Sequence, residues 1–338
     1  MDALAPMEAK LVDALPADAG WQFEPKWDGF RCIAVRDGGR VDLISKSGKP
    51  LGRYFPEVVA MLEAVKAKRF ILDGELIIPV GDCLSFEALQ LRLHPAESRV
   101  RKLAAETPAQ FMLFDLLALG KRMLAAEPLS ERRAALERFH HEHGSASLLL
   151  SPATEDCDRA EAWLARSGGA LDGVVAKRLG EPYRPGERAM LKVKQIRSAD
   201  CVVGGFRYAS GKKEAGSLLL GLFGEDGKLH HVGFCPPPGD KAALTKRLEA
   251  MIEPPGFTGD APGGPSRWST ERSGEWQPLR WDLIAEVKYD QVTGHRFRHA
   301  TRFLRWRADK APEQCRMDQQ VAELRPAELE SVLVQSEG

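Results

Sequence analysis

Cysteine is scarce in this sequence, and neither sign of charge is in excess. The 338 residues include six dispersed cysteines and no Cys-x-x-Cys pair, which argues against a disulfide framework and against a zinc site. Lysine plus arginine and aspartate plus glutamate each number 48. Bulk charge therefore gives no support for a nucleic-acid partner, and any such surface has to be local.

Long apolar runs are lacking as well. The stretch Met1–Leu15 carries acids and a proline but no apolar core of signal-peptide length, and no segment approaches the length of a membrane span. We therefore expect no membrane association and a reducing, cytoplasmic location.

The length and the change of pattern along the chain predict two domains. A chain of 338 residues is longer than one core usually serves. Strand patterns alternate with predicted helices at 54–68, 86–93, 130–143 (capped by Ser130) and 158–167. Five strand-like segments and one helical stretch follow a hinge expected at 195–199, and they suit a small barrel of the oligonucleotide-binding (OB) type. The predicted class is α+β, with domains at 1–197 and 198–316 and an accessory helix or tail at 317–338.

The most informative stretch is Glu24-Pro25-Lys26-Trp27-Asp28-Gly29-Phe30-Arg31. Its proline disfavours helix and its Asp-Gly pair favours a turn, so Lys26 is predicted to lie on a loop. Segments 30–35 and 41–44 predict a hairpin beyond it, which ties the loop to a rigid sheet. A lysine seated in this way suits a nucleophile. A solvated turn lysine is the alternative that so short a motif leaves open.

A lysine amine attacks only when it is neutral, and its ordinary pKa of about 10.4 leaves little free base near neutral pH. Burial or neighbouring cations must therefore lower that pKa. The segment Met190-Leu191-Lys192-Val193-Lys194 places two lysines on one strand face, and these are the candidate cations. The pair is explained either by an anion held between them or by a solvent-facing edge strand.

Carboxylates interrupt three apolar strands. They are found in Asp73-Gly74-Glu75 within strand 70–78, in Phe114-Asp115 within strand 111–117, and in Asp172 at the mouth of strand 171–178. Burial of a carboxylate is costly unless it is paired or bound to a cation or hydroxyl. A solvated edge-strand bulge is the alternative for the first pair, and plain core is the alternative for the aromatic residues of the second strand.

The end of the predicted barrel is locally basic. Between His295 and Arg316 seven cations accompany two acids, and Phe297, Phe303 and Trp306 are interleaved with them. Arginine beside aromatic residues suits contact with phosphates and bases. A solvated basic strand is the alternative.

Taken together, these blocks resemble the ATP-dependent DNA ligases of the lysine nucleotidyltransferase superfamily. The matching blocks, in the family's order, are Lys26-Trp27-Asp28-Gly29-Phe30-Arg31, Ser45-Lys46-Ser47-Gly48-Lys49, Asp73-Gly74-Glu75, Phe114-Asp115, Asp172-Gly173-Val174-Val175, Lys192-Val193-Lys194 and Arg307-Ala308-Asp309-Lys310. Several blocks in order are far more specific than any one of them. The short layout and the run Thr301–Arg307 are most similar to the small bacterial repair ligases of the C type.

The resemblance implies an adenylation domain followed by an OB-fold domain, with ATP and Mg²⁺ or Mn²⁺ as cofactors. It implies that Lys26 attacks the ATP α-phosphate and carries AMP to the 5'-phosphate of a nick, which the 3'-hydroxyl then seals. The implied nucleotide contacts are Glu24, Arg31, Glu75, Phe114, Lys192 and Lys194. The implied metal ligands are Asp172 and Glu75. The implied substrate contacts are Asp28, Lys46, Arg188, Arg302 and Arg305, while Arg307, Asp309 and Lys310 would act in catalysis, orienting the leaving pyrophosphate.

Three positions depart from the family pattern. Asp172 stands where glutamate is usual, Lys46 where arginine is usual, and Met190 where an aromatic residue is common. The expected partner is nicked duplex DNA, with repair-complex proteins possible, and a monomer is expected. An RNA ligase, a GTP-using capping enzyme and a non-catalytic OB-fold DNA-binding protein remain as alternatives.

Overall fold

The computed structural model describes residues 3–80, 83–165, 171–194, 197–263, 275–289, 292–293, 295–297 and 301–320. Contacts divide the chain into two compact units, one containing Met1–Gln195 and the other Ile196–Glu323. Helices and sheets are mixed in the first unit and strands dominate the second, which confirms the α+β prediction. In the described ranges no helix is both long and apolar enough to cross a membrane.

The first unit is built from two main sheets flanked by helices, together with a small two-stranded sheet. Its strands are β1 (Ala9–Leu11), β2 (Trp21–Trp27), β3 (Phe30–Asp37), β4 (Arg40–Ser45), β5 (Arg69–Ile77), β6 (Pro79–Val80), β7 (Cys83–Leu84), β8 (Gln110–Leu119), β9 (Arg122–Met123), β10 (Leu148–Leu150), β11 (Leu171–Arg178) and β12 (Met190–Val193). Its helices are α1 (Pro56–Ala64), α2 (Phe86–Arg92), α3 (Glu97–Glu106), α4 (Leu129–His143) and α5 (Cys157–Ala165), with a 3-10 turn at Gly52–Tyr54.

The smaller of the two main sheets, which has four strands, brings the sequence motifs together. Its order is β1-β12-β11-β2, and only the β1–β12 pairing is parallel. Strand β11, which carries Asp172, is therefore flanked by the strand of Lys26 and by the strand that leads into Lys194. The motifs on β2, β11 and β12 are far apart in sequence. They become neighbours because β2 and β12 each pair directly with β11.

The larger sheet has the order β10-β8-β5-β3-β4, with β9 paired to β8. Its central strand is β5, so Asp73 and Glu75 do not lie on an edge strand. Helices α1 and α4 cover one face through residues such as Leu62, Leu136 and Phe139, all buried. Burying each large apolar side chain contributes roughly 1.5–3 kcal/mol. A second cluster, including Met7, Ile33, Ile71, Tyr183 and Met190, packs the two sheets against each other.

The described part of the second unit contains one main sheet, a separate two-stranded sheet and one α-helix. Its strands are β13 (Arg197–Tyr208), β14 (Ala215–Phe223), β15 (Leu229–Cys235), β16 (Gln277–Pro278), β17 (Ile284–Tyr289), β18 (Val292–Thr293), β19 (Arg296–Phe297) and β20 (Arg302–Trp306). The main order is β15-β14-β13-β17-β20. Helix α6 (Lys241–Glu249) is capped by Asp240, whose carboxylate accepts the Ala242 N–H at 2.9 Å. The five strands predicted for an OB-type domain are all present.

Several local predictions were wrong. Lys26 belongs to strand β2, because its backbone extends the pairing with β11 up to Trp27. Helix α4 begins at Leu129 and its N-cap is Pro128, so Ser130 is not the cap. Helix α3 was not predicted, because its composition is strongly polar and it buries only two small apolar residues, Val100 and Ala104. Two other predictions fall partly outside the described residues. The predicted hinge at 195–199 contains the division between the two units, and its described part, from Arg197 onward, is the start of a strand. The predicted tail at 317–338 lies outside the described residues beyond 320.

Candidate functional site

A cavity of about 1050 Å³ opens in the first unit and is lined by most of the predicted nucleotide-binding residues. Its walls include Glu24, Lys26, Arg31, Lys46, Glu75, Phe114 and Lys192. The N-terminal segment Pro6–Ala9 also contributes a wall. A cavity of this volume, with a few charged groups converging on it, fits a ligand the size of a nucleotide.

Lys26 and Lys194 share one carboxylate. Lys26 Nζ donates to Asp172 Oδ2, and Lys194 Nζ lies 2.9 Å from Asp172 Oδ1. Asp172 reaches both amines because β11 is irregular there: its register shifts between Leu171 and Val174. Gly173 makes that bend possible, since its φ is +126° and a Cβ there would lie 2.0 Å from the Val193 carbonyl oxygen.

The charges at this point perturb one another. Burial tends to raise the pKa of Asp172, but Lys26 and Lys194 outweigh it and hold that pKa below its usual value. Burial together with the nearby cations Lys26, Lys194 and Lys46 lowers the pKa of Lys192. The site is thus a compact cluster of amines around one ionised carboxylate, which is suited to binding polyphosphate.

Arg31 is held by a buried carboxylate. Its Nε and one terminal nitrogen each donate to Asp73 at 2.6 Å, and Asp73 is fully buried. The guanidinium lies over the Phe114 ring, 4.4 Å from its centroid. The alternative of a solvated Asp73 is therefore wrong: the β5–β8 register does shift at Asp73, yet the strand is central and the carboxylate is paired.

Glu24 forms a second buried ion pair at the cavity. Its two carboxylate oxygens accept from Gln22 Nε2 at 2.7 Å and from Lys177 Nζ at 2.8 Å. Lys177 also lies 4.8 Å from the centroid of Phe114. The Phe114 ring is thus in contact with two cationic side chains, and its prediction as an adenine-stacking residue stays a prediction.

Glu75 lies on the same strand face as Asp73 and lines the cavity. Burial raises the pKa of Glu75 to about 7, with Arg31 and Lys26 opposing the rise and the carboxylates Asp28 and Asp73 adding to it. Gly29 lets β3 pass close to this carboxyl group, because a Cβ at Gly29 would lie 2.2 Å from the Leu76 carbonyl oxygen and 2.8 Å from Glu75 Cγ. Glu75 therefore titrates in the neutral range.

Two of the predicted substrate-binding cations meet at the rim of the cavity. Lys46 Nζ lies 3.2 Å and Arg188 Nε 3.9 Å from the same oxygen of Glu8. Both cations are largely exposed, with 60% and 76% of their side-chain surface accessible. Glu8 therefore occupies the position between two cations where a phosphate could bind.

The predicted terminal motif forms its own network in the second unit. One terminal nitrogen of Arg307 donates to both oxygens of Asp200 at 2.9 and 3.0 Å, while Nε and the other terminal nitrogen donate to Asp309 at 2.9 and 2.8 Å. Lys310 Nζ lies 2.6 Å from Asp200 Oδ2. The hydrogen bonds from Arg307 lower the pKa of Asp309 well below its usual range. Asp200 thus orients both predicted catalytic cations.

The predicted DNA-contacting arginines lie on the edge strand β20. Arg302 is exposed, and Arg305 Nε donates to Glu286 on β17 at 2.6 Å while 65% of its side chain stays accessible. Phe303 and Trp306 pack against the barrel core. Phe303 and Trp306 are therefore each partly buried against the core. Arg302 and Arg305 form the outer face of the strand.

Three residues that support the cavity wall were not predicted from the sequence: Arg132, Tyr183 and Lys177. Asp115, read as part of a pocket motif, is buried and bonded to Arg132 at 2.8 Å. Tyr183 donates to Asp73 at 2.7 Å, and Lys177 pairs with Glu24. A lone charge in an apolar strand signalled that Asp115 needed a partner, but no local pattern identified partners so distant in sequence.

Comparison with known proteins agrees with this arrangement. Residues 5–194 match the family described as the ATP dependent DNA ligase domain, and residues 211–310 match the ATP dependent DNA ligase C terminal region. DNA ligase C of Mycobacterium tuberculosis (strain ATCC 25618 / H37Rv) is 44% identical over 334 residues, covering 93% of both chains. DNA ligase C2 of Mycolicibacterium smegmatis is 44% identical over 330 residues, covering 92% of both.

Solved structures give the same assignment. The mycobacterial DNA ligase D complexed with ATP and MES aligns over 92% of this chain and 97% of that chain, with a TM-score of 0.51 and 27% identity. A Lig E DNA ligase aligns over 91% of this chain and 100% of its own, with a TM-score of 0.54 at 17% identity, which shows the shared fold. The two family matches, the mycobacterial relatives and the amine cluster around Asp172 together show that this chain belongs to the ATP-dependent DNA ligases.

Proposed function

We propose that Lys26 is the nucleophile with which this DNA ligase takes AMP from ATP and delivers it to a DNA nick. The observation that carries the proposal is the position of Lys26: it lines the cavity and lies within an amine cluster that can neutralise a triphosphate. Nucleotidyl transfer depends mainly on positioning and charge neutralisation, and the cluster supplies both.

The proposed sequence has three transfers. Lys26 Nζ, once deprotonated, attacks the α-phosphorus of ATP, forming a P–N bond as the bond to pyrophosphate breaks. The nick's 5'-phosphate oxygen then displaces Lys26 from that phosphorus, giving an adenylated DNA end. The 3'-hydroxyl oxygen finally attacks the DNA phosphorus and AMP leaves. No redox partner is needed at any step.

The roles proposed for the other residues are those that the family resemblance implies. Lys192 and Lys194 would hold the α-phosphate, and Glu75 would accept from ribose hydroxyls. Glu24 and Phe114 would meet the base, and Arg31 the ribose or the nick phosphate. Asp28 would contact the substrate beside Lys26. In the second unit, Arg307, Asp309 and Lys310 would serve the leaving pyrophosphate.

Asp172 and Glu75 fit a Mg²⁺ or Mn²⁺ ion in type but do not form a closed metal cage. Among the described residues no group of three or more His, Cys, Asp or Glu side chains is placed to hold a metal. Mg²⁺ commonly binds through one or two carboxylates together with substrate phosphates and water, and these two residues suit that pattern. A bound ion would supply charge neutralisation at the phosphates. Both oxygens of Asp172 contact lysine amines, so an ion there competes with them.

Nicked duplex DNA is the proposed substrate, with Lys46 and Arg188 at the cavity rim and Arg302 and Arg305 on β20 as phosphate contacts. We propose that the enzyme works as a cytoplasmic monomer in DNA repair. The repair role is supported by the name of a relative, since the LigD protein of Mycobacterium bovis, 30% identical over 319 residues, is named for non-homologous end joining. This chain covers 40% of that protein. Repair partners of this chain are therefore part of the proposal.

The test is direct detection of the covalent intermediate. The protein is incubated with α-labelled ATP and Mg²⁺, and peptide mass analysis is expected to locate AMP on Lys26. Lys26→Arg keeps the charge but offers no amine that deprotonates near neutral pH, so the adduct should vanish while the fold persists. Lys102→Arg, on exposed helix α3, is the matched control. Label retained by Lys26→Arg, or transfer from GTP in preference to ATP, would overturn the assignment.

A further inference from the structure

Tyr183 places a buried hydroxyl group behind the cavity wall described above. It lies between β11 and β12 and is only 4% exposed. Its hydroxyl donates to Asp73 Oδ2 at 2.7 Å and accepts the Met7 N–H at 2.8 Å. One side chain therefore connects the buried carboxylate of the larger sheet to the N-terminal segment.

The partners of Tyr183 are residues that shape the nucleotide cavity. Asp73 is the carboxylate that holds Arg31 through two 2.6 Å hydrogen bonds. Met7 lines the cavity, and its carbonyl oxygen accepts from Arg31 at 3.4 Å. The Arg31 guanidinium is thus fixed on one side by Asp73, on another by the Phe114 ring and on a third by Met7. Tyr183 contacts two of these three supports.

We propose that Tyr183 is a positioning residue of the adenylation reaction, which acts through Asp73 and Met7 to fix Arg31 in the cavity. The proposal rests on the proposed function, because Arg31 is assigned to the nucleotide or nick phosphate there. A partly buried arginine such as Arg31, bonded to one carboxylate, keeps a single orientation only if that carboxylate is itself fixed. Asp73 accepts two hydrogen bonds from Arg31 and one from Tyr183. Loss of the Tyr183 hydroxyl would leave the Asp73–Arg31 pair freer to rotate.

Burial and the adjacent Asp73 raise the pKa of Tyr183 well above its usual value. The hydroxyl therefore stays protonated and donates to Asp73 throughout the range in which the enzyme can be assayed. Tyr183→Phe should also leave the Met7 N–H without its acceptor, and a buried donor without a partner is destabilising. The consequence is a looser N-terminal wall as well as a freer Arg31.

The experiment measures formation of the Lys26–AMP adduct as a function of ATP concentration. For Tyr183→Phe we expect the half-saturating ATP concentration to rise about tenfold, while the single-turnover rate at saturating ATP changes less than about threefold. Tyr208→Phe is the matched control, since that hydroxyl also donates to a carboxylate, Glu249 at 2.8 Å, but on the second unit. It should leave both quantities unchanged.

A double-mutant cycle separates positioning from general destabilisation. If Tyr183 acts through Arg31, the effect of Tyr183→Phe should fall to less than about twofold in an Arg31→Lys background, because the fork that Tyr183 supports is already gone. Equal effects in both backgrounds, or an unchanged half-saturating ATP concentration, would overturn the proposal. Should the phenylalanine variant not fold, Tyr183→4-fluorophenylalanine, which lacks the donor but fills the same space, carries the same expectation.

The outcomes also distinguish this inference from the proposed function. A wild-type protein that forms no adduct at Lys26 would remove the proposed function itself. If the wild-type protein forms the adduct and Tyr183→Phe forms it with the same kinetics, only the proposed role of Tyr183 is refuted.

Discussion

Lys26 and Asp172 form an ion pair across strands β2 and β11, and the second oxygen of the same carboxylate binds Lys194 Nζ at 2.9 Å. The carboxylate therefore holds the amine that is proposed to attack ATP. In this arrangement attack on ATP requires that the contact between Lys26 and Asp172 be released.

Asp172→Asn should make Lys26 more reactive in the absence of ATP. Removing the carboxylate takes away the acceptor that holds the Lys26 amine while Lys192 and Lys194 stay nearby. Acylation of Lys26 at pH 8 by a small amine-directed reagent should therefore speed up about three- to tenfold. Adduct formation with ATP should nevertheless drop, because the candidate metal ligand is lost. Peptide mass analysis of Lys26 modification measures the first effect. Asp18→Asn, a surface carboxylate paired with Arg178, is the control, and unchanged Lys26 reactivity would contradict the idea.

The predicted architecture came from features that are local in sequence, and the motif roles came from the resemblance of short motifs to a known family. The strands carrying Glu75, Asp172 and Lys192 could be predicted because each is a short apolar run with a charge at a fixed place. The partners Tyr183, Lys177 and Arg132 could not, since their roles depend on contacts across sheets that no spacing encodes. Lys26 was placed on a loop because its proline and the following Asp-Gly favour a turn, but pairing with β11 extends β2 through it.

Adduct formation should depend on the ionisation of Glu75, whose pKa is raised to about 7 by burial. If Glu75 accepts from the ribose hydroxyls as a carboxylate, the half-saturating ATP concentration should increase as pH falls through about 7. Glu75→Gln should raise that concentration at pH 8 and remove the pH dependence. The check is a pH series of adduct formation in both proteins. A wild-type profile flat between pH 6 and pH 8 would refute the role.

The raised pKa of Glu75 also predicts that protein stability depends on pH. A carboxyl group whose pKa is higher in the folded state binds more protons there, so stability falls as pH rises from about 4.5 to about 7. Glu75→Gln should therefore raise the melting temperature by about 2–5 °C at pH 8, and the gain should disappear below pH 4.5. Glu225→Gln, at an exposed turn, should show no such pattern in thermal unfolding.

Glu8→Gln should strengthen binding to a nick that carries a 5'-phosphate. Glu8 sits 3.2 Å from Lys46 and 3.9 Å from Arg188, where it competes with a phosphate for both cations. Exposed ion pairs are worth at most about 1 kcal/mol, so a two- to fivefold decrease in Kd is expected, measured by fluorescence anisotropy. Intact duplex should bind Glu8→Gln and wild type equally.

The matched control for that change is Glu187→Gln. Glu187 lies 4.0 Å from Arg184. Its replacement by glutamine changes the net charge by the same amount as Glu8→Gln. If Glu187→Gln strengthened binding as much as Glu8→Gln, or if intact duplex gained as much as the phosphorylated nick, the effect would be one of bulk charge and the competition at the rim would have to be abandoned.

The final prediction concerns Asp200, which binds Arg307 at 2.9 Å and Lys310 at 2.6 Å in the second unit. If these two cations orient the pyrophosphate that leaves ATP, they matter only in the first transfer, because pyrophosphate is absent from the other two. Arg307→Ala and Lys310→Ala should abolish the Lys26 adduct yet still seal a nick supplied already adenylated. Asp200→Asn keeps both cations but frees them from their common partner, so it should slow adduct formation by an intermediate factor of about ten and leave sealing of the adenylated nick intact. Single-turnover sealing and ATP labelling on the same preparations separate the steps. Equal losses in both steps for all three variants would mean that the network serves the fold or DNA binding, and the role in pyrophosphate departure would then be withdrawn.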